Sequence, residues 1–446
     1  MSFLKKSFLF LVGAMLAASV AWAGSDFSFT ANDRVLVIAP HPDDETLGAG
    51  GMIQAARKGG AEVKVVYLTH GDHNEMAALF YQKKPLITRA DFIRSGQTRM
   101  AEAESAMRVL GLQKRDLIFL GYPDFGTLKI WQRHWKRSKP FRSLLTRINR
   151  VPYRDDFSYG SAYTGENITK DFETILLSFK PTRVFVTAPF DWNPDHKACY
   201  LFLNLAFLNL AGQIPEPIVT CYLIHGRDWP ISKRYSPVPY WNDPPRWTAL
   251  LLSPEELGRK KEAILKYQSQ IAYRKKFLLS FAGEREYFTR IPYEAPGGPA
   301  RQRFSGGPTR RKADCFIENG ELRLSLTLDS AFDEIAATNV EIFPYKKSEP
   351  FSSMPKLRFK FLGHRTVKLR VPMSVLRDPD HLFIAWHTAK EELAWDKGSW
   401  KISRIEETSR DEPHPDSPFD SRSAHQCHIQ GAAVGRRGLR DQAHQF

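Results

Sequence analysis

Val35-Leu36-Val37-Ile38-Ala39-Pro40-His41-Pro42-Asp43-Asp44-Glu45 is the stretch on which the reading of this chain turns. Its four leading apolar residues read as a strand buried on both faces of a parallel sheet. Pro40 and Pro42 stop that strand, and Thr46-Leu47-Gly48-Ala49-Gly50-Gly51 opens a helix. His41, Asp43, Asp44 and Glu45 therefore fall in the turn beyond a strand's carboxyl end, where open α/β sheets bind ligands. One imidazole and three carboxylates within five residues make a poor core, because unpaired charge resists burial. A metal ion resolves that conflict.

Working outward, the same rhythm repeats. Glu62 to Thr69 reads as a second buried strand, followed by His70-Gly71-Asp72-His73. The pattern then predicts a helix from about Thr88 to Leu110 with Gly111 after it, and a third strand from Leu117 leading into Gly121-Tyr122-Pro123-Asp124. Asn167 to Phe179 reads as helix and Arg183 to Ala188 as strand. Asn193-Pro194-Asp195-His196 opens an apolar helix, and Ile218 to His225 is a further strand. Ser253-Pro254-Glu255-Glu256 marks another helix start. Strands alternating with helices imply right-handed crossovers and a mostly parallel sheet flanked by helices.

The expected organisation is a leader over 1–23, a first domain over 24–295, a linker over 296–309, a β-sandwich over 310–404 and a disordered tail over 405–446. Lys5 and Lys6, the apolar run to Val20, and Ala21-Trp22-Ala23 give the leader its signal-peptide character, which predicts export to a periplasm or the exterior. No later stretch is long and apolar enough to span a bilayer. With 42% hydrophobic and 12% aromatic residues the 446-residue chain is not disordered as a whole. A formal charge of +15 suits anionic surroundings. A basic insert over about 129–154 interleaves nine Lys and Arg residues with Trp131, Trp135, Phe141 and Tyr153. It reads either as a grip on an anionic glycan or envelope surface or as a solvated insertion whose aromatics tuck onto the body. Cys199, Cys221, Cys315 and Cys427 match no zinc ribbon or dense disulfide framework, leaving a Cys199–Cys221 bridge or free buried thiols.

His41 and Asp44 offer a nitrogen and an oxygen suited to zinc. His196 also follows a buried strand, so two loops at one sheet edge can converge on one ion, and Asp43 could then take a proton from water activated there. His70 and His73 suit local turn or surface roles better than ligation. Gly48-x-Gly50-Gly51 does not make a dinucleotide fingerprint.

Ala39-Pro40-His41-Pro42-Asp43-Asp44-Glu45 with Gly48, Gly50 and Gly51 resembles the signature of the LmbE/PIG-L-like zinc-dependent N-acetylglucosaminyl deacetylases. Leu68-Thr69-His70-Gly71-Asp72, Arg99-x-x-Glu102, Phe119 to Asp124, Asn193 to His196 and Tyr267-x-Ser269-Gln270 follow in the family's order. The resemblance implies a Rossmann-like fold, an N-acetylated sugar or glycan as substrate, and Zn2+ or another divalent metal as cofactor. It makes His41, Asp44 and His196 the metal ligands and Asp43 the general base, and it matches Arg99 and Asp124 to sugar-binding positions. Many members carry a histidine where this chain has Asn193, which donates a hydrogen bond but delivers no proton at neutral pH. Asp195 is expected to orient its neighbours. No nucleic-acid partner is expected. The competing expectation is an exported glycan-binding protein built on a catalytically weakened deacetylase domain, in which the C-terminal tryptophans Trp386, Trp395 and Trp400 either stack on glycan or pack the core.

Overall fold

The structure, a computed structural model, describes residues 27–73, 87–226, 229–230, 247–291, 303–305, 312–327, 337–362, 366–389, 399–405 and 427–428. The expected leader lies outside the described residues, as do most of the expected linker and tail.

The main sheet contains β1 (Arg34–Ala39), β2 (Glu62–Thr69), β3 (Leu117–Tyr122), β4 (Arg183–Thr187), β5 (Ile218–Tyr222), β6 (Trp247–Leu251) and β7 (Arg285–Thr289). Their order is β3-β2-β1-β4-β5-β7-β6. The pairings among β1 to β5 are parallel, whereas β7 runs antiparallel to both β5 and β6. That antiparallel edge was not expected from the sequence, because β6 is only half-buried and β7 opens with the charged pair Arg285-Glu286. The chain steps outward from β1 to β2 and β3, then returns to β4 on the other side of β1. Connections leave β1 and β4 in opposite directions, so a crevice opens at their carboxyl ends.

Helices α1 (Asp44–Lys58), α2 (Arg89–Val109), α3 (Thr127–Arg133), α4 (Gly165–Phe179), α5 (Pro194–Asn209), α6 (Pro254–Lys266) and α7 (Gln268–Ser280) cover the sheet. Local chemistry explains their starts. Asp44 and Glu45 occupy the first turn of α1, and Asn193 caps α5 with Pro194 at its first position. Ser253 and Glu256 form a reciprocal capping box on α6. Gly48 lets α1 approach the sheet closely, since a methyl group there would lie 2.2 Å from the Tyr222 ring.

Beyond the main sheet lie β8 (Arg303–Ser305), β9 (Lys312–Glu318), β10 (Glu321–Thr327), β11 (Ala337–Tyr345), β12 (Leu357–Leu362), β13 (Thr366–Pro372), β14 (His381–Ala389), β15 (Ser399–Arg404) and β16 (Cys427–His428). They form two sheets, β16-β13-β10-β9-β8 and β12-β11-β14-β15, antiparallel except where β16 pairs in parallel with β13. Leu322, Leu324, Val367 and Leu369 of one sheet share a core with Val340, Ile342, Leu382 and Ile384 of the other. Alternation along β11 and β14 sends Phe343, Tyr345 and Phe383 to the opposite face, into the core of the first unit. The side chains of Trp386, Trp395 and Trp400 lie outside the described residues.

The aromatics of the basic insert turn inward. Trp131, Trp135, Phe141 and Tyr153 are all buried, so none of them offers a stacking surface. Trp131 is fully enclosed, with ring centroids 5.1 Å from Phe351, 5.1 Å from Phe383 and 5.2 Å from Phe202 of α5. Cys199 and Cys221 are buried free thiols, so the bridge between them is absent.

Trp131→Ala should therefore open a cavity where three elements meet. The expected loss of stability is about 3–5 kcal/mol, measured by denaturant unfolding monitored through far-UV circular dichroism.

Candidate metal centre

The crevice between β1 and β4 brings together groups separated by more than 150 positions. His41 Nδ1 lies 3.0 Å from Asp44 Oδ2 and 3.3 Å from His196 Nε2, and His196 Nε2 lies 3.1 Å from the same carboxylate oxygen. One donor atom from each of His41, Asp44 and His196 falls within 4.8 Å of the other two, and all three side chains are buried. Two imidazole nitrogens and a carboxylate oxygen are a donor set that fits zinc, with room left in the coordination shell for water and substrate.

Behind each imidazole stands a carboxylate. His196 Nδ1 is 3.0 Å from Asp191 Oδ2, an oxygen that also accepts hydrogen bonds from the backbone N–H groups of Ile224 and His225. The other Asp191 oxygen accepts from Asn193 N–H at 2.9 Å. On the His41 side, Nε2 lies 3.1 Å from Asp124 Oδ1 and 3.4 Å from Asp195 Oδ2. His41, Asp124 and Asp195 also satisfy the spacing of a cation site. Asp195 is already engaged by the N–H groups of Phe125 and Thr127 and by the Thr127 hydroxyl, so it suits holding His41 rather than a second ion. Such carboxylate partners fix the ring orientation and leave the opposite nitrogen free for metal.

Asp43 sits at the mouth of this cluster in an unusual backbone state, φ 127°. That conformation costs a non-glycine residue on the order of 1–3 kcal/mol and persists only where neighbours hold it. Arg99 supplies one restraint, with Nη2 donating to the Pro42 carbonyl at 2.6 Å and lying 3.3 Å from Asp43 Oδ2. Glu45 supplies another by accepting the Asp43 N–H at 3.1 Å. Arg99 Nη1 donates to the Gly71 carbonyl at 3.1 Å. A side chain at Gly71, whose φ is +64°, would collide with that guanidinium at 1.7 Å. The buried Arg99 thus braces the Asp43 turn, and Asp124 lies against His41.

Several other motif residues serve as supports. Glu45 points away from the cluster and accepts from the Thr46 and Tyr267 hydroxyls. Glu102 accepts from the N–H and hydroxyl of Ser269, tying α2 to the α6–α7 junction. His70 pairs with Asp156 at 2.7 Å and stacks on Tyr153, a local structural role. His73 donates its N–H to Asp124 at 3.0 Å. Reading the sequence missed Asp191, whose only sign was its place in the loop leaving β4. It also missed the buried pair Lys260–Glu286, 2.7 Å apart. Lys260 donates to the Leu47 carbonyl and Glu286 accepts from the N–H groups of Gly51 and Met52, so the pair grips α1 from the side.

Neighbouring charges set the protonation of these groups. Burial opposes charge on His196, yet Asp191 and Asp44 outweigh it and raise the imidazole to about 9. Burial likewise opposes charge on His41, but Asp124, Asp195 and Asp44 raise it well above its ordinary value. Asp44 is held well below the carboxylate range, as the two imidazoles overcome its burial. Burial raises Asp43 to about 7, with Asp44 adding to the shift and Arg99 opposing it.

Residues 36–207 match the family described as "PIG-L: GlcNAc-PI de-N-acetylase". A 1D-myo-inositol 2-acetamido-2-deoxy-alpha-D-glucopyranoside deacetylase of Mycobacterium sp. (strain KMS) is 35% identical over 105 residues, covering 24% of this chain and 30% of the relative. An enzyme of the same description from Corynebacterium urealyticum (strain ATCC 43042 / DSM 7109) is 34% identical over 93 residues, covering 21% and 27%. The chain thus spans less than a third of the length of these curated relatives. Among solved structures, the N,N'-diacetylchitobiose deacetylase from Pyrococcus horikoshii is 21% identical with a TM-score of 0.37, covering 58% of this chain and 84% of that one. The 4-carboxy-2-hydroxymuconate hydratase from Pseudomonas putida KT2440 is 16% identical with a TM-score of 0.39, covering 60% and 100%.

Because both imidazoles hold protons above pH 7, a cation entering the cluster has to displace them. Calorimetric titration with Zn2+ at pH 7, in two buffers of different ionisation enthalpy, is expected to register release of more than one proton per ion. Affinity should rise with pH toward about 9, where His196 loses its proton unaided. Asp191→Ala is expected to weaken binding by about 10- to 100-fold in the same experiment.

Proposed function

We propose that this chain, which carries a PIG-L (LmbE-like) domain over residues 36–207, is a metal-dependent deacetylase that removes the N-acetyl group of a GlcNAc-type sugar in a glycan or glycoconjugate. The observation that carries the reading is the convergence of His41, Asp44 and His196 beside a braced Asp43. The curated relatives are named as deacetylases of an acetamido-sugar, which supports the same class of substrate. Zinc is the proposed metal, and the leader-like start from Met1 to Ala23 supports an exported location.

His41, Asp44 and His196 would hold the ion. A divalent cation there supplies Lewis acidity, which acidifies water and polarises the amide carbonyl. Asp43 accepts the proton of the attacking water as its oxygen bonds to the acetyl carbon. Collapse of the tetrahedral species breaks the carbon–nitrogen bond, and Asp43 returns the proton to the departing amine. Acetate and a free amino sugar result. Asn193 uses its side-chain oxygen to accept Asp195 N–H at 2.8 Å, so only its amide N–H groups remain to steady developing charge on the substrate. Arg99 acts in this scheme through Asp43, fixing the direction of its carboxylate.

Acetate release from acetylated amino sugars and their oligomers, measured with and without chelator, tests the reading. Activity should vanish on chelation and return with Zn2+; glycan binding without any acetate release would favour the binding-protein alternative. Asp43→Asn is expected to lower the rate about 10²- to 10⁴-fold while metal content stays unchanged. Asp43 must be ionised to act as base, so the rate should fall as pH drops through a midpoint at or below about 7. A bound cation draws that midpoint further downward, and with metal kept saturating this acid limb should be missing from the residual activity of Asp43→Asn.

A further inference from the structure

We propose that the surface formed by the segment after α3 binds an acidic polysaccharide, so that the N-acetylated sugar reaches the metal centre as part of a negatively charged chain. This inference rests on the deacetylase reading and specifies its substrate class. Arg142, Arg147, Arg150 and Arg154 are exposed, and none of them has an ion-pair partner among the described residues. Of the two acids between residues 129 and 160, Asp155 and Asp156, the second is buried against His70 and contributes nothing to the surface. The patch therefore sets four exposed guanidinium groups against the single exposed carboxylate of Asp155 and stays net positive.

Aromatic faces accompany the charge. Phe157 and Tyr159 are 49% and 54% exposed, the only large aromatic side chains so exposed among the described residues. They are distinct from the buried Trp131, Trp135, Phe141 and Tyr153, which hold the segment to the body. The backbone beneath is ordered by its own hydrogen bonds. Ser143 N–H donates to Ile148 O at 2.9 Å, Val151 N–H to Ser161 O at 2.9 Å, and Phe157 N–H to Phe119 O of β3 at 2.9 Å. Binding there would cost little ordering entropy.

The segment beneath the patch is tied to the metal centre through a relay of largely buried contacts. The Tyr153 hydroxyl donates to Asp72 at 2.7 Å; next in sequence, His73 donates its N–H to Asp124, which lies 3.1 Å from His41. Guanidinium forks match carboxylate or sulfate groups two-pronged, and exposed aromatic rings suit the C–H faces of sugars. Uronate or sulfate units alternating with acetylated amino sugars satisfy both features.

The full chain should be tested for binding to an oligosaccharide alternating glucuronate with N-acetylglucosamine, against a neutral N-acetylglucosamine oligomer of equal length. At low ionic strength the acidic oligomer is expected to bind about tenfold more tightly, and high salt should erase the difference. Arg150→Gln combined with Arg154→Gln should remove about tenfold of that affinity, Tyr159→Ala should weaken both oligomers, and acetate release from a small neutral substrate should be unchanged in each variant. Equal binding of the two oligomers, unchanged binding by the arginine variant, or association only with phosphatidylglycerol vesicles or single-stranded DNA would overturn the proposal. Binding is read without turnover. Salt-sensitive binding with no acetate release therefore counts against the reaction alone, and acetate release without charge preference counts against this surface alone.

Discussion

Buried charge must be answered by charge, and around this crevice it is answered pair by pair. Asp44 faces two imidazoles, each imidazole is backed by a further carboxylate, and Asp43 faces Arg99. Any one of these groups left alone would shed its charge or reject burial. Together they form a compact array that a divalent cation can enter in exchange for protons. The fold supplies the meeting point, since the reversal of strand order between the parallel neighbours β1 and β4 brings residue 41 beside residue 196.

Around that array the support comes in successive layers. Asp191 is held by two backbone N–H groups beyond β5, Asp195 by the start of α3, and Glu45 by a tyrosine at the end of α6. These distant segments add to the hydrogen bonds that the turn makes within itself, such as His41 N–H to Asp44 and Asp43 N–H to Glu45. Backbone strain at Asp43 is the local cost of aiming its carboxylate, and Arg99, Gly71 and Glu45 jointly make that geometry stable.

Much of this was legible in the sequence because strong local signals coincide with the site. Continuous apolar runs identify β1, β2 and β4, and the prolines after β1 together with Asn193-Pro194 identify the turns and the helix start that carry the candidate ligands. Where the signal was weak, physics explains the failure. The half-buried β6 lacks the enclosed apolar signature of the inner strands. Burial of Trp131 and Trp135 could not be told from exposure, since a basic segment with interleaved aromatics looks the same either way until the partner sheet is known. Asp191 went unnoticed because the backbone groups that fix it beside His196 come from Ile224 and His225, more than thirty positions away. The buried Lys260–Glu286 pair follows the same logic, with residues that resemble surface charges until the helix they grip lies against them.

The indole of Trp131 sits where α3, α5 and a face of the C-terminal sandwich meet. A wedge shared in that way ties the history of the two units together. A larger or smaller residue at 131 requires a compensating change at 202, 351 or 383, on a different element each time. Exchange of the sandwich for an unrelated appendage would strand an apolar surface over the first unit. The two halves are therefore expected to descend as one inherited block, with variation confined to the outer rims of both.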